Sequence, residues 1–392
     1  MRPSRSVTSR TRLIIFIFMI TALGVSVGSG AAVNAHPGSF LKSGTTSVCG
    51  TTAIICYNIE TVDYKPGENN FITGINNFDN IVGAYSAATT ANAIYHSFEA
   101  APNPVPTAYT GQFVNEKSPY KSTFLQGLDN NQKLSNSYVV GYAGNICGSC
   151  STVGVIYNNK NNTWTTVQDN NNGSCPVDTQ VLAMTNPQQG VGFYLKPNSL
   201  GKCEQQAFEF YPKSGGTSDQ FTYVDFNPPP ATSGATVVSS TANGVNELGD
   251  VVGTETYGSP HRQAAWVYSE LTYYTFKNGS YNTFGRGIDF NDRVVGDYID
   301  GVGATHGFLV ENPVSPTFIT IDYPVTPAYT VINSISLETD KKDGFLSAIS
   351  GWYFEGGLYH GFVGTCNTTC PNVGKTIPGL ESHLKTVRPP SR

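Results

Sequence analysis

Charged side chains are scarce in this sequence: Asp, Glu, Lys and Arg together make up only 13% of its 392 residues. Soluble globular proteins carry about twice that share, so the composition argues against a coiled coil or a protein of long helices. The sequence also lacks the His-Glu-x-x-His and phosphate-binding-loop motifs, and its one Gly-x-Ser-x-Gly, at residues 24–28, overlaps the apolar run near the N-terminus instead of joining a strand to a helix. These common routes to an enzymatic assignment therefore find no support.

Turn-forming and strand-forming residues are abundant instead, with 41 Gly, 33 Asn, 23 Pro, 22 Tyr and 21 Phe. Gly, Asn and Pro punctuate turns, while aromatic residues favour strands. The composition therefore predicts an all-β fold with many turns. Length alone would allow two or three domains.

The N-terminus has the order of a secretory signal peptide. Four arginines precede an apolar run of about 15 residues from Leu13 to Val27, and small residues follow as far as Ala35. This pattern predicts a signal peptide over residues 1–35, cleaved after Ala35. An uncleaved membrane anchor is the alternative, although the run is short for a bilayer span.

Cleavage would change the charge of the protein. The intact chain carries a net charge of −5, and loss of the four arginines leaves 19 basic against 28 acidic side chains, a net charge of −9. Such a balance does not suit a nucleic-acid or anionic-membrane partner. We expect a secreted protein, extracellular or periplasmic, that does not associate with a membrane once the signal is removed.

The cysteine count agrees with export, since disulfides persist in oxidising compartments. The chain contains eight cysteines, at positions 49, 56, 147, 150, 175, 203, 366 and 370. Proximity suggests the pairs 49/56, 147/150, 175/203 and 366/370, although eight cysteines allow 105 connectivities. The Cys147-Gly-Ser-Cys150 segment has three interpretations: a loop staple, which we favour, a redox motif, or half of a zinc site with Cys366 and Cys370.

An internal repeat organises the rest of the chain. The segment from Gly74 to Tyr85, Gly-Ile-Asn-Asn-Phe-Asp-Asn-Ile-Val-Gly-Ala-Tyr, recurs from Gly287 to Tyr298 and, in shorter or looser form, four more times. Each copy contains one glycine at an equivalent position, and these marker glycines are residues 83, 141, 192, 253, 296 and 351. Their spacing of 43 to 61 residues is the size of a propeller blade.

Each repeat reads as a hairpin followed by two more strands, which is the composition of a four-stranded propeller blade. The segment Asn58 to Pro66 resembles a fourth strand but precedes the first repeat, whereas the sixth repeat stops after its third strand near Cys366. We therefore predict a six-bladed β-propeller over residues 50–370, closed by an N-terminal strand. Residues 36–49 would lead into it, and residues 371–392 would form a flexible tail.

Two other architectures remain open at this stage. A seventh blade could use the segment from Ala100 to Gln126, which is long for a connection within the repeat. A pair of β-sandwiches or an open array of repeats is the other alternative. Blade boundaries are hardest to place in the second and third repeats, where residues 145–151 replace the usual link and Pro187 falls in the hairpin turn.

The repeat motifs resemble those of the HAF family of probable extracellular repeat proteins. The resemblance rests on Gly-Ile-Asn at residue 74, Val-Val-Gly-Asp-Tyr at 294, His-Gly-Phe-Leu at 306 and Phe-Ile-Thr-Ile-Asp-Tyr-Pro at 318. It is clear in repeats one, four, five and six. The resemblance implies export and a propeller-like fold, and it implies neither an activity nor catalytic residues.

Recurring polar residues are candidates for chemistry or for structure. Histidines precede or open the third strand of four repeats: His96, His261, His306 and His360. They could converge as a metal cluster, but a residue repeated in every blade more often satisfies a recurring structural contact. Acidic or amide residues recur near the fourth strand and the first turn, where they commonly accept backbone N–H bonds: Asp63, Asp169, Asp225, Asp322, Asp129, Asp289 and Asn246. We expect neither a metal nor a cofactor.

The densest acidic segment contains Asp289, Asp292, Asp297 and Asp300. Its spacing is not that of a calcium loop, and a hairpin with solvated carboxylates is the favoured interpretation. We predict a monomeric, non-enzymatic binding or scaffold module that recognises a glycan or protein through loops at one end of the ring. The alternative is a carbohydrate-active hydrolase or lyase with Asp292, Asp297 and Asp300 as candidate catalytic residues.

Overall fold

Antiparallel sheets account for almost all of the regular structure in the computed structural model. The described residues are 45–49, 56–88, 93–102, 118–144, 152–168, 173–185, 189–198, 201–212, 221–258, 260–337 and 347–366. Their 24 strands form six sheets, and the short 3-10 turn Leu134–Asn136 is the one helical element among them. The predicted signal peptide, the Cys147/Cys150 pair and the C-terminal tail lie outside the described residues.

The sheets are six blades arranged around a central channel, and strands are numbered along the chain. The innermost strands are β3 (Asn69–Ile75), β6 (Ser122–Leu128), β10 (Thr179–Met184), β14 (Val237–Val245), β18 (Asn282–Ile288) and β22 (Thr330–Leu337). The second strands are β4 (Ile81–Ser86), β7 (Tyr138–Gly144), β11 (Gly190–Pro197), β15 (Val251–Tyr257), β19 (Val294–Ile299) and β23 (Ser347–Glu355). The third strands are β5 (His96–Ala100), β8 (Thr152–Asn158), β12 (Cys203–Pro212), β16 (Arg262–Ser269), β20 (Thr305–Val310) and β24 (Leu358–Cys366). The outer strands are β9 (Thr163–Val167), β13 (Phe221–Asp225), β17 (Thr272–Phe276), β21 (Phe318–Thr320) and β2 (Cys56–Thr61), with β1 (Thr45–Cys49) beyond β2.

The predicted six-bladed propeller is therefore confirmed, and the seven-bladed and open alternatives are wrong. The second and third repeats, which depart most from the motif, still form four-stranded blades. The first blade shows three strands among the described residues, and residues 103–117 lie outside them.

The N-terminal strand closes the ring, as predicted. Strand β2 pairs antiparallel with β24, so Tyr57 lies opposite Cys366 and Thr61 opposite Phe362. Strands from the two ends of the propeller thus share one sheet. This closure leaves no gap between the first and last blades and removes an edge that could otherwise pair with another chain.

Each marker glycine sits in the second strand of a blade, opposite a β-bulge in the innermost strand. A Cβ atom on Gly296 would lie 1.9 Å from the carbonyl oxygen of Phe284, and one on Gly192 would lie 1.9 Å from that of Gln180. No side chain fits in that space. The repeat therefore retains glycine at this position because the bulged strand approaches it so closely.

The hydrophobic core lies between adjacent blades. One cluster joins Val252 and Val267 of the fourth blade to Phe308 and Val310 of the fifth. The two faces of each sheet thus bury aliphatic and aromatic side chains against their neighbours. Because both faces of each blade are buried against its neighbours, few positions can hold a charged side chain, which accounts for the low charge content of the sequence.

Two of the predicted disulfides are present. Cys49 bonds to Cys56, and Cys175 bonds to Cys203. Cys366 is also disulfide-bonded, which excludes it as a thiolate ligand in the zinc site considered above. Disulfides of this kind are typical of secreted or extracellular proteins. No helix in the described part of the chain is long and apolar enough to cross a membrane.

Candidate functional site

The central channel contains a cavity of about 90 Å³ lined by the innermost strands of all six blades. Each β-bulge adds one residue to the lining: Thr73, Gln126, Leu182, Asn243, Arg286 and Asn333. A bulge re-aims its extra side chain, which explains why all six turn toward the axis. The bulges therefore supply a ring of channel-lining positions that the repeat does not otherwise restrict.

Three bulge residues connect one blade to the next. Thr73 Oγ1 donates a hydrogen bond of 2.8 Å to the carbonyl of Leu125 in the following blade. Asn243 Nδ2 donates similarly to Gly285 at 2.6 Å, and Asn333 Nδ2 donates to Ile72 at 2.9 Å. These side chains hold the ring together around the channel. Leu182 is apolar and cannot form such a hydrogen bond, and Arg286 forms an ion pair with Asp297.

The residue after each marker glycine and its cross-strand partner form a pair that differs from blade to blade. These six pairs are Ala84 with Phe71, Tyr142 with Phe124, Phe193 with Gln180, Thr254 with Thr241, Asp297 with Phe284, and Trp352 with Val331. No two pairs are alike, although the glycine beside them never changes.

Aromatic rings from three consecutive blades gather at the end of the channel where the innermost strands begin. We call this set the aromatic mouth: Phe71, Tyr95, Phe124, Tyr142, Tyr329, Trp352 and Tyr359. Tyr329 immediately precedes β22, and Tyr95 immediately precedes β5. Both strands start at this end because alternate strands of a blade run in opposite directions.

The rings of the aromatic mouth form one continuous series of contacts. The Phe71 centroid lies 5.6 Å from that of Trp352 in the sixth blade and 6.1 Å from that of Phe124 in the second. Phe124 stacks on Tyr142 at 5.5 Å and 6°, and Tyr329 stacks on Trp352 at 5.7 Å. Phe71, Trp352 and Tyr359 are buried. The other four rings are only half-buried, so part of their surface faces solvent.

The tyrosine hydroxyls of the mouth stay protonated under ordinary conditions. Burial raises the pKa of Tyr95, Tyr142, Tyr329 and Tyr359. For Tyr142, the neighbouring Tyr95 and Asp178 add to the rise in pKa. A protonated phenol both donates and accepts hydrogen bonds. The mouth therefore combines apolar ring faces with neutral hydrogen-bonding groups.

An ion pair from the fifth blade lies beside the aromatic mouth. Arg286 Nε donates to Asp297 Oδ1, and the two side chains are 12% and 4% exposed. Burial raises the pKa of Asp297, and the opposing charge of Arg286 counteracts that rise. Arg286 also lies 5.7 Å from the ring centroid of Phe284. Asp297 occupies the position in the fifth blade that Trp352 occupies in the sixth and Tyr142 in the second, so the pair lies at the same level of the channel as the mouth.

The other two candidate aspartates lie elsewhere in the fifth blade. Asp292 occupies the turn before β19 with φ of 59°, and its N–H donates to the carbonyl of Asp289 at 3.1 Å. Asp300 occupies the turn after β19 and accepts N–H bonds from Val302 and Ala304, both 2.9 Å. Strand geometry places the two turns about 25 Å apart. Asp292 and Asp300 therefore belong to opposite ends of the blade.

The favoured interpretation of this acidic segment as solvated carboxylates is wrong for two of its four members. Asp289 and Asp297 are each only 3% exposed. Asp289 Oδ1 accepts N–H bonds of 2.9 Å from Asn291 and Arg293, as predicted for a carboxylate in the first turn. Asp297 is buried because its neighbour across the bulge is an arginine. Neither partner could be identified from the spacing of the aspartates.

Three of the four recurring histidines, His96, His306 and His360, make structural contacts within their own blades, and His261 is exposed. His306 Nδ1 and His360 Nδ1 each lie 2.7 Å from a carboxylate of the outer segment, Asp322 and Asp63 respectively. Both rings also stack on the tyrosine opposite them, Tyr298 at 5.0 Å and Tyr353 at 5.2 Å. His96 stacks in the same way on Tyr85 at 5.2 Å. Among the described residues, no three His, Cys, Asp or Glu side chains come together as a metal site.

Sequence reasoning missed the aromatic mouth, although a usable signal was present. Its members are as far apart in the chain as Phe71 and Tyr359, and tyrosines that form core contacts have the same composition signature. Numbering each repeat from its marker glycine would have shown that the adjacent position changes from blade to blade. That comparison also isolates Asp297 as the one charged residue at its position.

Neither the family models nor the curated proteins contain a match to this chain. Among solved structures, a sialidase of Trypanosoma rangeli is similar at 9% identity and a TM-score of 0.45, covering 85% of this chain and 60% of its own. A mutant of that sialidase displaying trans-sialidase activity has 11% identity and a TM-score of 0.46, with coverage of 86% and 60%. The extracellular domain of a one-component system from B. thetaiotaomicron has 10% identity and a TM-score of 0.35, with coverage of 84% and 39%. This chain thus spans about 60% of the sialidase chains, and likeness at this level says nothing about its activity.

Proposed function

We propose that this protein is a secreted, non-enzymatic β-propeller that binds an extracellular glycan at the aromatic mouth. The observation that carries the proposal is the convergence of four half-buried rings from three blades at one end of the channel. Three of these rings, Tyr95, Phe124 and Tyr329, pack against a buried cluster with one side. The surface that they leave in solvent is available to a partner.

A sugar ring matches the chemistry of the mouth. Each pyranose presents an apolar face of C–H groups and an edge of hydroxyls. Tyrosine presents the complementary combination, because its ring is apolar and its hydroxyl is polar. Tyr142 and Tyr329 flank the mouth on two sides, so a glycan chain could contact both. A protein ligand would more often require a larger, continuous apolar patch.

The carboxylates do not support the hydrolase alternative. Glycosidases commonly use two carboxyl groups about 5 to 10 Å apart on either side of the scissile bond. Of the three candidates, Asp297 is bound to Arg286, and Asp300, which lies at the same end of the blade, accepts N–H bonds from Val302 and Ala304 and lies 3.3 Å from His306 Nε2. Asp292 and Asp300 are separated from each other by the whole length of β19. Binding therefore accounts for the geometry better than catalysis.

We also propose that the protein is exported and that it is a HAF-like repeat protein. A signal peptide over residues 1–35 and the HAF-like motifs of four repeats support a secreted repeat protein, and the two disulfides agree with it. N-terminal sequencing of the secreted protein should begin at His36. Sedimentation should give a monomer.

Affinity gel electrophoresis of the secreted protein against extracellular polysaccharides tests the binding. We expect retardation by at least one polysaccharide, and we expect Tyr142→Ala or Tyr329→Ala to weaken binding about tenfold, since loss of a ring contact costs about 1 to 2 kcal/mol. Tyr274→Ala is the matched control, because Tyr274 is a half-buried tyrosine on β17, the outer strand of the fourth blade and far from the channel.

Two results would contradict the proposal. Equal retardation of the wild type and both mouth variants would place the binding site elsewhere. Release of sugar from any of these polysaccharides, abolished by a single carboxylate substitution, would show that the protein is an enzyme.

A further inference from the structure

We propose that the Arg286–Asp297 pair makes the aromatic mouth selective for neutral glycans, with Asp297 masking a positive charge that would otherwise attract acidic ones. The inference rests on the proposed function, because it concerns the ligand of the same site. It assigns Asp297 a role in specificity and none in catalysis.

Arg286 and Asp297 differ in charge from the residues at the equivalent positions of the other five blades. The five bulge positions equivalent to Arg286 carry Thr73, Gln126, Leu182, Asn243 and Asn333. The five positions equivalent to Asp297 carry Ala84, Tyr142, Phe193, Thr254 and Trp352. All ten are uncharged. A positive and a negative charge therefore occur together, in one blade, at two positions that are neutral everywhere else.

The bulge explains why the two side chains meet. Gly285 lies opposite Gly296, and the register then shifts so that Gly287 lies opposite Val295. Arg286 is the extra residue between them, so it turns to the face on which Asp297 projects. The guanidinium lines the central cavity and contacts the carboxylate from there.

A structural role does not by itself require these residues. The fourth blade fills the same two positions with Asn243 and Thr254, whose side chains hydrogen-bond at 3.1 Å. That neutral pair also joins its blade to the next through Gly285. The fold thus has an uncharged solution for this place, and a buried ion pair seldom stabilises more than such a solution.

The charge balance of the mouth disfavours acidic ligands. Asp297 neutralises Arg286, and Asp178 adds a further carboxylate close enough to Tyr142 to raise the pKa of that phenol. Thr152 donates to Asp178, which fixes that carboxylate beside the second blade. A polyuronate would have to approach a neutral-to-negative surface on a protein of net charge −9, so it should be repelled. A neutral chain would meet no such barrier.

Asp297→Asn tests the masking directly. The amide keeps the shape and one acceptor oxygen, but it leaves Arg286 with an uncompensated charge at the mouth. A guanidinium binds carboxylates in a bidentate manner, so the variant should gain affinity for an acidic glycan.

A transplanted pair provides a second test that does not require changing Asp297. Asn243→Arg places an unmasked guanidinium at the equivalent bulge of the fourth blade. The double variant Asn243→Arg/Thr254→Asp supplies the mask as well. Glu270→Gln, at an exposed turn of the same blade, changes the net charge by the same amount as Asp297→Asn and serves as the control.

The experiment measures affinity electrophoresis of the full secreted protein in galactomannan, which is neutral, and in polygalacturonate, which is acidic. The wild type, Glu270→Gln and the masked double variant should be retarded only by galactomannan. Asp297→Asn and Asn243→Arg should bind polygalacturonate at least tenfold more tightly than the wild type, and 0.5 M salt should abolish that gain.

The outcomes separate the two proposals. Wild-type binding to polygalacturonate, or an unchanged preference in both unmasked variants when circular dichroism shows them folded, would overturn the selectivity and leave glycan binding intact. Failure of every variant to bind either polysaccharide would overturn the inference, whereas failure against all the extracellular polysaccharides tested would overturn the proposed function as well.

Discussion

Substitution of a marker glycine provides the most direct test of how the repeat specifies the fold. In Gly296→Ala, the new Cβ atom would lie 1.9 Å from the carbonyl oxygen of Phe284 and 3.0 Å from a ring carbon of Phe308. Ordinary contacts of this kind are more than 1 Å longer. The first obstacle is backbone, so a side-chain rotation cannot relieve the overlap.

The cost follows from what must move. Overpacking of one methyl group costs about 1 to 3 kcal/mol. Displacing the bulged strand also weakens one or two ladder hydrogen bonds, each worth about 1 kcal/mol. We therefore expect Gly296→Ala to lower the free energy of unfolding by about 2 to 5 kcal/mol, a large fraction of the usual 5 to 15 kcal/mol.

Gly301→Ala is the matched control in the same blade. A Cβ atom there would meet only a ring carbon of Tyr281 at 3.8 Å, which is ordinary contact, and Gly301 does not have a positive φ. Urea denaturation of both variants measures the difference. If Gly296→Ala unfolds at the same urea concentration as Gly301→Ala, the close approach of the bulged strand is not what restricts this position to glycine.

Two further predictions concern the closure of the ring and the disulfides. The hydrogen bond and charge of Asp63 raise the pKa of His360, so the Asp63–His360 pair should stabilise the fold fully below the ordinary histidine pKa, and this stabilisation should be lost as pH rises through the raised pKa. The melting temperature should therefore fall between pH 5.5 and 8.5, and Asp63→Asn should make it less dependent on pH. Replacing Cys175 and Cys203 by Ser should lower the free energy of unfolding by about 3.5 kcal/mol, and replacing Cys49 and Cys56 should lower it by about 2.5 kcal/mol, because the first disulfide closes a loop with a sequence separation of 28 and the second one of 7. Equal shifts in the urea midpoint would refute this loop-entropy argument.

The architecture could be predicted from the sequence because the propeller repeats its constraints. A marker glycine recurs in all six copies, and the first, second, fourth and fifth blades have a described turn with Asn or Asp between their first two strands, so the copies report the same local structure. The closure was predictable for the same reason, since a fourth strand was missing at one end and present at the other. Even the second repeat, with its atypical link, kept Gly141 and the strand around it.

The candidate site could not be predicted in the same way, because its residues occupy positions that differ from one repeat to the next. Asp292, Asp297 and Asp300 are close in sequence, but a strand carries them to different ends and faces of one blade. Conversely, Tyr142 and Tyr329 are distant in sequence, and only the closed ring brings them to the same mouth. Proximity along a strand is thus a poor guide to shared chemistry in a propeller.

The β-bulge affects both the stability of the ring and the choice of residues that line its channel. By adding one residue to every innermost strand, it requires glycine opposite and simultaneously turns an extra side chain toward the axis. Three of these side chains are used to connect neighbouring blades, as Thr73 does through Leu125. Because each blade already packs against its neighbours through buried aliphatic residues, the ring does not depend on all six connections. Arg286 could therefore be recruited, with Asp297, to a role in the mouth without opening the ring.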